Sequence, residues 1–211
     1  SARFEVCAHR WVDAAEPGYG VALLNDGKYG HDATRERVPG PGGREVPITV
    51  LRLSLLRGAR YPDPEADQGR HRFTYSLLPH MGDLRRGGVV AEGYQLNAPV
   101  RIVEPIGPLG AGPARPTVTV EHPAVVIEAV KLADDGSGDL IIRCYESWGG
   151  RANADLRFGT TVTSVRSVDA RERDVGSAEL PLVDGSVTVS LRPFQIMTLR
   201  AARKVQPKPG A

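Results

Sequence analysis

The sequence predicts an all-β chain with at most one short helix, on three observations. Apolar residues recur with period two almost throughout, as strands that bury alternate side chains require. Glycine and proline, 24 and 17 of the 211 residues, punctuate those runs; this is enough to mark many turns but below the level of unpatterned disordered chains. Seven short apolar runs crowd between residues 117 and 200, the spacing of a compact antiparallel sandwich.

The elements follow in order. Phe4 to Val12 alternates as a strand with Cys7 in its core, and Gly18 to Leu24 returns after a Glu16-Pro17-Gly18 turn. In Val46 to Leu55 the alternation slips by one residue, from Val46, Ile48 and Val50 to Leu51, Leu53 and Leu55, which predicts a bulge near Thr49 to Leu51. His71 to Leu78 reads as a strand ended by Pro79, which cannot donate to a ladder. Only Asp83 to Leu96 has a helical pattern, with Asp83 as cap, and Gly87, Gly88 and Gly93 weaken it. A first domain is therefore assigned to residues 1–103 and a Pro/Gly-rich linker to 104–116. Beyond it, strands are expected at 117–121, 125–132, 140–148, 152–158, 162–168, 186–191 and 194–200. They make a small terminal β-sandwich over 117–203, followed by a disordered tail over 204–211.

Composition bounds the function. A formal net charge of +2 with interleaved signs gives no field to recruit nucleic acid or an anionic membrane. There are two cysteines, both in apolar stretches, and no glycosylation sequon, which argues against a disulfide-stapled secreted domain and for a cytoplasmic one. No apolar run is long enough to span a bilayer, and the start at Ser1 is neither a signal peptide nor a Met, so the chain reads as a piece of something longer.

Chemical motifs are sparse. Asp63, Glu65 and Asp67 crowd one Pro-rich segment, yet as a loop rather than as two carboxylates facing one bond. Asp67 with His71, His80 and the His31-Asp32 pair lacks the tight spacing of a zinc site, and a structural role for these histidines is the plainer reading. Gly18-Tyr-Gly20 is too little for a dinucleotide fingerprint, and no nucleophile elbow occurs. Trp148-Gly-Gly150 is either a sugar-stacking surface or, more simply, core. The densest polar segments are Asp13 to Gly20 and Asn25 to Asp32; Asn-Asp-Gly is also an ordinary tight turn, so on pattern alone these are a polar edge of a β-rich fold.

Several long motifs carry a resemblance. They are Ala8-His-Arg-Trp-Val-Asp-Ala-Ala-Glu-Pro-Gly-Tyr-Gly-Val-Ala-Leu-Leu-Asn-Asp-Gly-Lys-Tyr-Gly-His-Asp32, Leu51 to Arg57, Tyr61 to Tyr75, Leu78-Pro-His80 and Leu96-Asn-Ala-Pro99. Glu128 to Lys131, Arg143 to Glu146, Gly149 to Arg151 and Pro193 to Leu199 continue the series. In this order they resemble the C-terminal β region of glycoside hydrolase family 38, the zinc-dependent α-mannosidases, in the bacterial and cytosolic branch.

The resemblance implies the end of a β-supersandwich followed by a terminal sandwich. The parent would be a retaining exo-acting α-mannosidase whose zinc and nucleophile lie in a separate catalytic barrel. It implies no catalytic residue, metal or cofactor in this fragment, which would be inactive alone. Glu16, Tyr19, Asn25, Asp26, Lys28 and Tyr29 become candidates for rimming the barrel's site, with packing between domains as the plainer role. The implied partners are the parent's own barrel and mannose-containing glycans, with a homo-oligomer left open. An independent carbohydrate-binding module and a purely structural or oligomerising domain are the competing readings.

Overall fold

A computed structural model describes residues 4–102, 104 and 115–203. Most of the expected linker over 104–116 and the whole tail over 204–211 therefore lie outside the described residues. The chain divides into two compact units, Ser1–Glu104 and Pro105–Ala211.

The first unit holds strands β1 (Val6–Cys7), β2 (Trp11–Glu16), β3 (Tyr19–Asn25), β4 (Gly30–Pro39), β5 (Glu45–Leu53) and β6 (Tyr75–Met81), then helix α1 (Val89–Asn97). They form two antiparallel three-stranded sheets, ordered β1-β4-β5 and β2-β3-β6. One face of the second sheet packs on α1, where Ala22, Leu24 and Val89 are buried among Trp11, Leu78, Leu84 and Leu96. On its opposite face Leu23 is buried and shares a cleft with Ile48 and Leu51 of β5, while Tyr19, Tyr75, Leu77 and Met81 around it are 50–75% exposed. Asp13 and His80 lie on the α1 side and pair at 2.8 Å with both side chains buried. A Cβ at Gly20 or Gly87 would stand 2.3 Å or 2.4 Å from the His80 ring, so only glycine leaves it room.

Four expectations are corrected here. Phe4 to Val12 is two strands, because Arg10 takes a left-handed φ of 65° between them, and Cys7 is exposed rather than core. No bulge interrupts β5, whose pairing with β4 runs unbroken from Pro39↔Glu45 to His31↔Leu53. Glu45 to Thr49 is exposed on both faces, so nothing holds its apolar residues in phase with those that follow. His71 to Thr74 is not strand, and Pro79 lies inside β6 rather than ending it. That strand bonds to β3 alone, and an edge tolerates the missing donor. The helix begins at Val89 rather than Asp83. The Asp83 carboxylate instead accepts the Arg85 and Arg86 amides at 3.2 Å and closes a turn, and Gly88 at φ 63° precedes the helix.

The second unit is a two-sheet sandwich of β7 (Val118–Val120), β8 (Val125–Leu132), β9 (Leu140–Glu146), β10 (Ala152–Phe158), β11 (Val162–Val168), β12 (Asp174–Leu180), β13 (Ser186–Leu191) and β14 (Ile196–Arg203). The sheets are ordered β13-β10-β7 and β12-β11-β14-β9-β8. Alternation is strictest in β10, which buries Ala152, Ala154, Leu156 and Phe158 and exposes the residues between. These meet Leu140, Ile142, Cys144, Val165, Leu199 and Ala201 of the facing sheet. Each large aliphatic among them contributes about 1.5–3 kcal/mol relative to exposure.

β12 is an eighth strand that the sequence reading missed, since an edge exposed on both faces has no alternation to show. β9 stops at Glu146 rather than Trp148. The Glu146 carboxylate accepts the Trp148 and Gly149 amides at 2.9 Å and 2.8 Å and turns the chain there. The last strand starts at Ile196, two residues later than expected, after Phe194 at φ 57°.

Candidate functional site

The six rim candidates fall into two groups. Glu16 and Tyr19 face each other across the β2–β3 turn, while Asn25, Asp26, Lys28 and Tyr29 follow the far end of β3. At about 3.3 Å per residue, a seven-residue strand separates them by roughly 20 Å. One sugar cannot touch both.

Asn25 organises the second group from inside. It is fully buried, and its side-chain oxygen accepts the Gly27 and Lys28 amides at 3.0 Å and 2.7 Å, folding the Asn-Asp-Gly-Lys turn onto itself. His31, 1% exposed, completes this interior. Its Nδ1 lies 3.2 Å from the Tyr29 carbonyl and must donate to it; Nε2 is then the acceptor for the Asn25 amide at 3.4 Å. The Asn25 carbonyl accepts from Asn97 on α1 at 2.9 Å, so the helix anchors the turn. Asn25 therefore shapes the loop rather than presenting its amide to a ligand.

Asp26, Lys28 and Tyr29 are left on the outside. The Asp26 carboxylate accepts the Thr74 amide at 2.8 Å, and hydrogen bonds from Thr74 hold its carboxyl below the ordinary value. The Lys28 ammonium stands 5.2 Å from the centre of the Phe73 ring. Tyr29 is 53% exposed and lies against His9, with ring centroids 4.6 Å apart. Lys28 and Tyr29 line an open cleft of about 670 Å³ with Glu5, Ser54, Arg57 and Asp67. Aromatic, carboxylate, hydroxyl and cationic groups thus converge on one concavity, a surface chemically suited to a polyhydroxylated ligand. Glu16 and Tyr19 instead edge a second cleft of about 590 Å³, whose lining combines Val21, Leu23, Ile48 and Leu77 with Arg35 and Thr49.

His31, Asn97, His9 and Thr74 escaped the sequence reading as site residues. His31 and Asn97 lie within conspicuous motifs, but nothing in those motifs says that they join Asn25. The acidic loop is spent on itself: Asp63 accepts the Glu65 amide at 2.9 Å, Asp67 the Gly58 amide at 3.0 Å, and His71 donates to the Asp67 carbonyl at 2.7 Å. Among the described residues no three His, Cys, Asp or Glu side chains converge as metal ligands, so these residues do not fit a zinc centre. Nor, among them, is any helix long and apolar enough to cross a membrane.

Comparison with known proteins agrees along the chain. Residues 1–65 match the profile of the glycosyl hydrolases family 38 C-terminal domain, and residues 124–199 that of the glycosyl hydrolases family 38 C-terminal beta sandwich domain. Alpha-mannosidase 2C1 of Homo sapiens is 38% identical over 210 residues, covering 99% of this chain and 19% of that protein. Alpha-mannosidase G of Dictyostelium discoideum is 34% identical over 205 residues, 94% of this chain and 17% of that protein. The crystal structure of an alpha-mannosidase from Enterococcus faecalis V583 superposes with a TM-score of 0.63 at 19% identity, over 94% of this chain and 21% of that one, a likeness of fold. This chain spans about a fifth of the length of the curated relatives it matches.

Proposed function

Since the chain belongs to glycosyl hydrolases family 38 as part of its C-terminal region, we propose that it is the non-catalytic β region of a zinc-dependent retaining α-mannosidase that cleaves terminal α-mannosides. The carrying observation is similarity to proteins named alpha-mannosidase over nearly all of this chain and only a fifth of theirs. The chemistry then belongs to residues outside this chain, zinc included, and no step of it is assigned here.

Two surfaces of the first unit support the role. The exposed apolar side chains of Tyr19, Tyr75, Leu77 and Met81 suit packing against further protein. The cleft beside Lys28 and Tyr29 suits contact with the sugar or its leaving group. The aliphatic side chains beside Glu16 and Tyr19 favour a packing role for that pair. The free thiols of Cys7 and Cys144 fit a cytoplasmic protein. The partners proposed are the parent's catalytic barrel and mannose-containing glycans. An isolated sugar-binding module or an oligomerising domain would leave the catalytic part independent of this region.

The test is hydrolysis of 4-nitrophenyl α-mannoside by the parent enzyme, by the parent lacking this region, and by this chain alone. The expected result is activity in the first only. Turnover by this chain, or full activity in a soluble parent without it, would overturn the reading.

A further inference from the structure

The outer face of the β7-β10-β13 sheet is built differently from the rest of the terminal sandwich. Exposed residues of β10 and β13 stand opposite one another in register, Asn153 to Ser190, Asp155 to Thr188 and Arg157 to Ser186. Asp155, Arg157, Thr188 and Ser190 line a groove of about 610 Å³ together with Glu121 and Asp184. That volume is within the range of small-ligand sites.

Its charged groups are unspent. On the facing sheet the arginines are committed, Arg166 to Asp174 at 2.9 Å and Arg200 to Asp135 and Asp139 at 2.7 Å. The Arg157 guanidinium, by contrast, makes no hydrogen bond or ion pair among the described residues, although three carboxylates share its groove. Asp155 accepts only from the Thr188 hydroxyl, at 2.6 Å, which leaves its second oxygen open. A guanidinium fork, a carboxylate and serine hydroxyls are thus held on rigid strands, about 5 Å apart across the ladder, with hydrogen-bonding capacity to spare.

The chemistry of the lining selects the ligand. Three carboxylates against one guanidinium disfavour phosphates and other anions. Vicinal hydroxyls, which both donate and accept, can pair bidentately with a carboxylate or a guanidinium. Pro181 and Val183, the latter 64% exposed, add an apolar wall for the C–H face of a ring. We propose that this groove binds a neutral oligosaccharide segment and gives the terminal domain a glycan site of its own. It rests on the terminal domain's own side chains and stands or falls separately from the mannosidase reading.

The test is amide NMR of the 211-residue chain titrated with mannotriose, maltotriose and cellotriose, with a lysine-rich peptide as the competing ligand class. Saturable shifts at Asp155, Arg157, Thr188 and Ser190 with at least one sugar are expected. Arg157→Ala should weaken that affinity at least tenfold, and Ser190→Ala by less, with spectra otherwise unchanged. No shift in these residues at about 50 mM of any of the three sugars, well above a millimolar Kd, would overturn the proposal. So would tighter binding of the peptide than of every sugar, or an undiminished affinity in Arg157→Ala.

Discussion

Replacing Glu146 by glutamine should destabilise the terminal sandwich more than its location in a turn suggests. The side chain is 1% exposed. Its two oxygens accept the amides of Trp148 at 2.9 Å, Gly149 at 2.8 Å and Phe194 at 3.0 Å, tying the end of β9 to the start of β14. Burial pushes this carboxyl up, but backbone hydrogen bonds from Phe194, Trp148, Gly150 and Gly149 outweigh it and hold the group below the ordinary glutamate value. A hydrogen bond to a charged group contributes about 1.5–3 kcal/mol. Glutamine keeps one accepting oxygen and turns an NH2 toward amides that also donate, so a net loss of about 2–4 kcal/mol is expected once the turn relaxes.

With a urea dependence of about 1–3 kcal/mol per M, the midpoint of the terminal domain should fall by at least about 0.7 M. Circular dichroism and Trp148 emission would follow the transition. Because the folded carboxyl titrates below the unfolded one, its stabilisation is full above about pH 4.3 and fades as pH falls through the folded value. Glutamine has no such proton to take up, so the gap between the two proteins should narrow on acidification. A midpoint shift under about 0.3 M at neutral pH, or a gap that does not narrow in acid, would refute the reasoning.

Other outcomes follow from the same structure. Asp135 is held at about 2 by bonds from the Ser137 hydroxyl and amide and from Arg200; amide protection factors over 133–139, corrected for the intrinsic pH dependence of exchange, should therefore hold down to about pH 4 and fall as pH drops toward 2. Asn25→Ala should unfasten its turn, raising exchange at the Gly27 and Lys28 amides at least tenfold while the β10 amides stay protected. In nitrogen-15 spectra the neutral His31 ring should carry its proton at Nδ1 rather than Nε2, and the opposite tautomer would contradict its bonds to Tyr29 and Asn25. In the parent enzyme, Tyr29→Ala should lower kcat/KM about three- to tenfold, as for one lost hydrogen bond or stacking contact, with an unchanged unfolding midpoint; unaltered kinetics would leave Tyr29 a purely structural residue.

What the sequence revealed depended on whether one face of a strand was buried. β10 was legible because each inward residue is apolar and each outward one polar, a pattern only a half-buried strand needs. β12 and the first half of β5 are exposed on both faces, so no period was imposed, and a strand and a false bulge were the respective errors. Proline misled in β6 for a related reason, since the rule that it ends a strand holds for interior strands and this one is an edge. The site was legible only as polar segments and family motifs, because its organisation is a matter of hydrogen bonds between distant positions. Asn25 stood in the sequence as a rim candidate within a turn motif, and nothing in that motif showed that His31 and Asn97 bond to it.

The run Val21-Ala-Leu-Leu24 carries information of another kind. α1 covers Ala22 and Leu24, whereas Val21 and Leu23 lie on the other side beside Leu77, where they share a cleft with Pro47, Ile48 and Leu51 of β5 and Leu23 is buried. A strand apolar on both sides belongs to a sheet covered on both sides. Its lack of alternation thus records packing on both sides, under α1 on one and toward β5 on the other, which is why this part of the fold could be recognised by resemblance more readily than derived from period.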